Sequence, residues 1–163
     1  MRRLILLTLC LGPLLATAQQ DDLVLVGEAR LKVLLWSVYD SRLYSSDGSY
    51  QESQRPVRLD ITYLRNIAAS ALVERTGAEW QQLGIPAQQQ QPWLQALSGL
   101  WPDVRANDTL ALHVDEQNRS TFYLNGETLG SIEDADFSRA FLDIWLSPNT
   151  TRPELRLSLL GLQ

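Results

Sequence analysis

The chain has 163 residues, enough for one domain with its own core, and its hydrophobic fraction of 45% excludes wholesale disorder. Its formal net charge of −5 argues against a nucleic-acid-binding protein, because little positive charge is left to neutralise phosphates. One cysteine and one histidine argue against a disulfide framework, a cysteine- or histidine-based metal site and a Ser-His-Asp triad. The chain also carries no Gly-rich phosphate loop, no nucleophile elbow and no H-E-x-x-H motif, so we expect no cofactor and no metal.

Residues 1–18 have the features of a cleaved secretory signal peptide. A cationic start at Arg2-Arg3 precedes an apolar segment from Leu4 to Leu15, and Ala16-Thr17-Ala18 is a small-x-small cleavage pattern. The apolar segment is too short to cross a bilayer, which requires about 20 residues. We therefore predict a single mature domain over residues 19–163 and, since the signal is compact and bacterial in type, a periplasmic location.

Cys10 leaves one alternative open for this segment. A lipidated cysteine also follows an apolar run, which would make the protein a lipoprotein. Leu9 stands where such a signal has a small residue, and Cys10 lies inside the apolar segment. Both observations favour the cleaved signal.

The N-terminal part of the mature chain is typical of β-strands. The apolar run Leu23–Val26 predicts a short strand that Gly27 ends, and the alternation from Ala29 to Tyr39 predicts one long strand. After a Ser-Ser-Asp-Gly turn and Pro56, a second alternation predicts a half-buried strand, whose apolar positions are Leu59, Ile61 and Tyr63.

The middle of the chain predicts two helices. The first has its apolar stripe at Leu72, Thr76, Trp80 and Leu83 and ends at Gly84. We interpret the glutamine run 88–91 as a mobile linker and Pro92 as the start of the second helix, which Pro102 ends.

The last third predicts strands again and then two more helices. Alternation over residues 110–114 and a hairpin around Asn125-Gly126 are followed by a helical stripe from Phe137 to Trp145. Asp134 or Asp136 is expected to cap that helix, and Thr151–Glu154 to form a capping box for the final one. The order of elements favours an α+β fold, in which helices cover one face of a mainly antiparallel sheet.

Few side chains in the sequence indicate a binding or catalytic site. Tyr63 and Arg65 would lie on one face of an extended segment, where an Arg and a Tyr hydroxyl can hold a carboxylate. From the residues alone, we favour the alternative that Arg65 is a surface residue paired with an acid. Trp36 can line a cavity between sheet and helices. The carboxylates Glu133, Asp134 and Asp136 favour helix capping over a cation site or acid/base work. As a catalytic base, His113 would need a partner that the sequence does not identify.

The whole mature chain resembles the bacterial branch of the chalcone isomerase-like family. The residues that carry the resemblance are Gly27–Ala29, Lys32–Asp40, Leu43-Tyr44, Tyr63–Ile67, Thr76, Glu79-Trp80, Leu83-Gly84, Leu100–Pro102, Phe122–Gly126, Leu129-Gly130, Ala140–Leu146, Pro153 and Leu159–Gly161. The resemblance implies an open-faced β-sandwich, with a large antiparallel sheet, helices layered on one face and a ligand cleft between them.

The resemblance does not imply the plant cyclisation reaction. Plant enzymes of this fold use a strand Arg, a strand Thr, a Tyr and Asn pair and a Thr on the late helix, whereas Leu34 and Ile144 stand at the two Thr positions here. We therefore assign no catalytic residue. Other members of the fold are similar in binding fatty acids through an Arg and a Tyr, a role that Arg65 with Tyr63 or Tyr39 would fill.

Three hypotheses follow, each with its own structural expectation. A non-catalytic periplasmic binder of a fatty acid or similar amphipathic ligand, which we favour, requires an apolar cavity with one cationic end. An isomerase or lyase acting on a small phenolic or lipid substrate requires a group with a strongly shifted pKa in the cleft. An envelope structural or partner-binding module requires an exposed apolar patch and no cavity.

Overall fold

The computed structural model describes residues 22–163, which form six strands and four helices; the predicted signal peptide lies outside the described residues. In chain order the elements are β1 (Val24–Val33), β2 (Trp36–Ser45), β3 (Val57–Tyr63), α1 (Ala69–Gln82), α2 (Ala87–Leu100), β4 (Thr109–Val114), β5 (Ser120–Leu124), β6 (Glu127–Ile132), α3 (Ala135–Leu146) and α4 (Pro153–Leu159). Within this range no helix combines the length and the apolar character needed to cross a bilayer.

The six strands form one open antiparallel sheet in the order β1-β2-β3-β4-β5-β6. Helices α1 and α2 are inserted between β3 and β4, and α3 and α4 follow β6. The predicted α+β class and the order of strands and helices are therefore confirmed.

The two faces of the sheet differ in character. One face carries ion pairs between neighbouring positions, such as Arg30 with Asp40 at 2.6 Å and Arg58 with Asp60 at 2.6 Å. The other face carries the alternating buried residues of the central strands, among them Leu59, Leu112 and Phe122. The helices and any cavity therefore belong to the second face.

Aromatic packing joins the helices to this face. Trp80 of α1 is fully buried, contacts Phe137 and Phe141 of α3 edge-on, and donates its indole N–H to the Ala140 carbonyl at 2.8 Å. Phe141 in turn lies against Phe122 of the sheet, with ring centroids 5.4 Å apart. The apolar stripe predicted for the first helix is confirmed at Trp80, which packs in the core.

The first strand is continuous, so the prediction that Gly27 ends it is wrong. β1 runs through Gly27, with a register shift against β2 at this point. A Cβ at position 27 would lie 2.3 Å from the Ser158 carbonyl oxygen of α4. Glycine is thus needed because the last helix crosses the strand backbone closely, a long-range contact that local sequence does not reveal.

The predicted long strand from Ala29 to Tyr39 is also wrong. The chain reverses at Leu34-Leu35, and Val33 of β1 pairs with Trp36 of β2. Leu34 has φ 55°, in the left-handed region that leucine rarely adopts. Alternation of apolar residues continues through this turn, and neither Gly nor Asn marks it, which explains why the sequence pattern concealed the hairpin.

The glutamine run is helical, so the predicted linker and the predicted helix start at Pro92 are both wrong. α2 begins at Ala87 and contains Pro92 in its interior. Gln90 is buried, and its side-chain amide donates to the Ile85 carbonyl at 2.6 Å. Glutamine has good helix propensity, and burial of Trp93 and Leu97 on the same helix outweighs the missing N–H of the proline.

Of the remaining local predictions, two are confirmed and one is wrong. The Asn125-Gly126 hairpin is confirmed, with φ values of 52° and 87°, and Asp134 caps α3 by accepting from the N–H groups of Asp136 and Phe137. The capping box of α4 is wrong, because the N-cap is Arg152 and no side chain caps it. The Thr151 hydroxyl donates instead to Glu79 of α1, at 2.8 Å.

Candidate ligand-binding site

A cavity of about 380 Å³ lies between the sheet and the helices. This volume falls within the range of about 300–1,000 Å³ that is usual for small-molecule sites. Its apolar walls come from β1–β4, α1, α3 and the connections between them, and comprise Leu31, Val33, Val38, Ile61, Ile67, Ala71, Leu72, Trp101, Leu110, Phe141, Ile144 and Trp145. Its polar lining comprises Tyr39, Tyr63, Arg75, Thr76, Glu79, Thr151 and Arg152.

Two tyrosines from adjacent strands reach into this cavity. Tyr39 of β2 and Tyr63 of β3 are directly paired in the sheet register, and their rings meet edge-on with centroids 6.2 Å apart. The Tyr39 hydroxyl accepts a hydrogen bond from the indole N–H of Trp145 at 3.0 Å. Tyr63 is buried, and its hydroxyl has no hydrogen-bond partner among residues 22–163.

Both phenols are held neutral. Burial raises the pKa of Tyr39 to about 12, against the hydrogen bond from Trp145, which lowers it. Burial also raises the pKa of Tyr63, with a further contribution from neighbouring Tyr39. A neutral hydroxyl donates a hydrogen bond, so the pair offers donors to an oxygen atom of a ligand.

A charged cluster lies beside the tyrosines. Glu79 is 7% exposed, forms an ion pair with Arg75 one turn earlier on α1, and accepts from the Thr151 hydroxyl. Arg75 has a side chain that is 63% exposed, so it stands at the mouth of the cavity. Arg152 also lines the cavity and, among the described residues, makes no ion pair. It is therefore the cation most available to an anionic ligand.

The four residues predicted to bind a ligand separate into two pairs. Tyr39 and Tyr63 line the cavity. Trp36 and Arg65 are absent from its described lining and contact each other instead, with the guanidinium carbon 5.5 Å from the Trp36 ring centroid. The proposed pairing of Tyr63 with Arg65 required an extended chain, but β3 ends at Tyr63 and the chain bends there.

The other residues considered from sequence lie away from this chemistry or serve the fold. His113 sits on the opposite face of the sheet, between Arg58 and Thr121 in the register. Ile144 contributes an apolar wall to the cavity, whereas Leu34 is 92% exposed at the hairpin turn. The residues described include no group of three or more His, Cys, Asp or Glu side chains able to hold a metal ion.

Sequence reasoning missed the charged cluster. Arg75 and Glu79 are four residues apart and each lies three positions after a residue of the apolar stripe, namely Leu72 and Thr76. An oppositely charged i,i+4 pair at the edge of a buried stripe was therefore the available signal. Thr151 and Arg152 gave no such signal, since only the path of the chain after α3 brings them to the cavity.

Comparison with known proteins defines the family. Residues 13–161 match the chalcone isomerase-like family, which is nearly the whole chain. The chain belongs to the chalcone isomerase-like family. A protein of Haemophilus influenzae described only as uncharacterised is 33% identical over 136 residues, which cover 83% of this chain and 67% of that protein.

A solved structure shares the fold of this chalcone isomerase-like protein. The crystal structure of an Arabidopsis thaliana fatty-acid binding protein superposes with a TM-score of 0.66, covering 86% of this chain and 87% of that one. The two sequences are 16% identical. The comparison confirms the open antiparallel sheet with helices, in agreement with the fold that the resemblance implied.

Proposed function

We propose that the protein binds a fatty acid or a similar small amphipathic ligand in the cavity between sheet and helices, and that it does so in the periplasm without a chemical step. The observation that carries the proposal is the lining itself. The cavity of about 380 Å³ is walled mostly by apolar side chains, and its polar lining includes the neutral phenols of Tyr39 and Tyr63 and the side chain of Arg152. Such a site buries a hydrocarbon chain and holds a carboxylate.

The polar groups suggest how the ligand is oriented. Arg152 supplies a positive charge, and Tyr39 and Tyr63 supply hydroxyl donors, so the carboxylate belongs near these three residues. Glu79 opposes an anion, but its charge is partly balanced by Arg75. The fatty-acid binding protein of the same fold adds support, because it shows that this architecture accommodates such a ligand.

The alternatives find less support. The raised pKa values of Tyr39 and Tyr63 meet the formal expectation for an enzyme, yet a phenol shifted upward by burial is a poorer acid near neutral pH and remains protonated. Glu79 is the only carboxylate in the described lining, and it is committed to Arg75 and Thr151. A purely structural module would leave the cavity without a role.

Native mass spectrometry of protein purified without detergent tests the proposal. We expect an adduct of a few hundred daltons that denaturation releases as a fatty acid or another amphipathic lipid. If the protein arrives empty and stays so after incubation with fatty acids of several chain lengths, the binding function is rejected.

Two arginine variants test the position of the carboxylate. Arg152→Ala removes the cation without disturbing a cap, since no side chain caps α4, and should weaken fatty-acid binding about tenfold or more. Arg65→Ala, the matched control, should leave the affinity unchanged because Arg65 lies outside the described lining. The opposite ranking in calorimetry would move the carboxylate to Arg65.

The periplasmic location needs a separate experiment. The full-length chain, expressed in a bacterium, should appear in the fraction released by osmotic shock with Gln19 as its first residue. A retained N-terminus in the cytoplasmic fraction would contradict the proposed export, and a lipid attached to Cys10 would support the lipoprotein alternative.

A further inference from the structure

The turn between β1 and β2 presents large apolar side chains to solvent. We call residues Val33–Trp36 the hairpin tip. Leu34 and Leu35 are 92% and 96% exposed, Trp36 is 64% exposed and Val33 is 42% exposed. Exposure this complete means that the two leucines contact almost nothing in the described protein, so they contribute little to its core.

Turn chemistry does not account for leucine at this place. The chain closes its other two-residue hairpin with Asn125-Gly126, residues that adopt a positive φ readily. Leu34 adopts φ 55° in the hairpin tip, a left-handed backbone conformation that is unfavourable for a residue with a Cβ. An exposed, strained leucine where Asn or Gly would be favoured points to a role outside folding.

Positive charge surrounds the hairpin tip. Lys32 precedes it on β1, and Arg65 lies over the Trp36 ring; neither makes an ion pair with another described residue. The segments 29–39 and 61–73, which meet at this end of the sheet, contain none of the chain's 19 acidic residues. A chain with net charge −5 therefore has a locally cationic apolar tip.

We propose that the hairpin tip inserts into the interfacial region of a phospholipid bilayer. Leucine side chains enter the acyl boundary, tryptophan favours the headgroup level, and Lys32 and Arg65 reach anionic headgroups. A protein partner fits less well: at about 200 Å² for a fully exposed side chain of this size, the fractional exposures of these four residues amount to roughly 600 Å², below the roughly 800 Å² per partner of a standard interface.

Docking by this tip would place the cavity next to the membrane. Leu31 and Val33 line the cavity and lie immediately before the turn, on the same strand. An amphipathic ligand would then pass between bilayer and cavity over a short distance. This last consequence rests on the proposed function, whereas bilayer docking itself does not.

Vesicle flotation tests the docking. The protein should float with vesicles of phosphatidylethanolamine and phosphatidylglycerol, and less with phosphatidylcholine alone. The double variant Leu34→Asn, Leu35→Gly copies the other hairpin turn, so it should fold at least as stably while its partition into vesicles falls at least about tenfold. Unchanged flotation of the folded double variant, or a wild-type protein that stays off both vesicles, would overturn the proposal.

Two further measurements locate the contact. Trp36→Phe should float with the vesicles but lose the blue shift of tryptophan fluorescence that they induce in the wild type. Lys32→Gln and Arg65→Gln should each weaken binding to the anionic vesicles about fivefold at low salt. A wild-type protein that forms dimers, lost in the tip double variant, and ignores vesicles would instead assign the hairpin tip to a second copy of the chain.

Ligand binding is measured separately, so the two proposals can fail independently. The tip double variant should retain the equilibrium affinity for a fatty acid in solution, because Leu34 and Leu35 do not line the cavity. Its rate of ligand uptake from vesicles should fall with its vesicle binding. If the wild-type protein binds vesicles but does not bind fatty acids, the proposed ligand-binding function is rejected and bilayer docking is retained.

Discussion

Trp145 of α3 donates its indole N–H to the hydroxyl of Tyr39 on β2, at 3.0 Å, within the lining of the cavity. The bond fixes how the Tyr39 hydroxyl is used, because the oxygen already accepts one hydrogen bond and its proton remains to be donated. Because Tyr39 lines the cavity, an oxygen atom of a bound ligand is a suitable acceptor for that proton. Tyr63, on the neighbouring strand, offers a second hydroxyl whose position does not depend on a helix.

The two tyrosines should therefore respond differently to loss of the hydroxyl. Tyr39→Phe leaves the Trp145 N–H without its acceptor and should lower the free energy of unfolding by about 1 kcal/mol as well as weaken fatty-acid binding severalfold. Tyr63→Phe removes a hydroxyl without a described partner, so it should weaken binding with no loss of stability. Urea unfolding and calorimetry on both variants check this, and equal stability losses would contradict the distinction.

Buried tyrosines also predict a loss of stability at high pH. Burial raises the pKa of Tyr39 from its ordinary value near 10 to about 12, so the folded state holds this proton where the unfolded chain has released it. The contribution of Tyr39 to stability should thus be fully present up to about pH 10 and be lost as the pH rises through about 12, by roughly 2–3 kcal/mol. Urea unfolding across that range measures the slope.

Matched variants show which tyrosines cause the decline in stability above pH 10. Tyr39→Phe should make the decline above pH 10 shallower, and the pair Tyr39→Phe, Tyr63→Phe shallower still, since burial raises the pKa of Tyr63 as well. A pH titration followed by phenolate absorbance should show that the same tyrosines ionise at a higher pH than exposed tyrosines. A slope that is identical in wild type and double variant would show that these two groups are not its source.

Much of the fold could be predicted because its local signals agree with its long-range contacts. The alternation in β3 and the Asn125-Gly126 turn each match what the tertiary structure requires. The errors arise where tertiary contacts overrule a local preference. Gly27 stays in a strand because α4 crosses it, and the glutamine run is helical because Trp93 and Leu97 bury one side of α2.

The residues of the site were harder to predict from sequence, because some of them are brought together only by the tertiary structure. Tyr39 and Tyr63 lie on strands whose alternation points them inward, so their direction could be predicted. The sequence pointed to Arg65 because it lies two residues after Tyr63, but the bend after β3 takes it to Trp36. Arg152 reaches the cavity only through the turn after α3, and no sequence period records that approach.

The start of α3 provides a stability prediction. Asp134 accepts from the N–H groups of Asp136 and Phe137 and from the indole of Trp93, at 2.9 Å, and the Trp93 bond is the main reason that its pKa is lowered. Asp134→Ala should lower the free energy of unfolding by about 1–2 kcal/mol at pH 7, while Asp134→Asn retains most of the cap. Because the folded pKa is lowered, this contribution should fade as the pH falls through it. Equal unfolding midpoints for Ala and Asn would contradict the capping role.

Substitution of Glu79 should change fatty-acid affinity in the opposite direction to substitution of Arg152. It is the single carboxylate in the described lining, and Glu79→Gln removes a negative charge near the expected ligand carboxylate while keeping an acceptor for Thr151. Affinity for a fatty acid should rise about fivefold, because two nearby arginines are then unopposed. Affinity for the corresponding uncharged alcohol, measured by competition, should not change. A fall in fatty-acid affinity in Glu79→Gln would instead mean that the ion pair with Arg75 holds that guanidinium in its binding position.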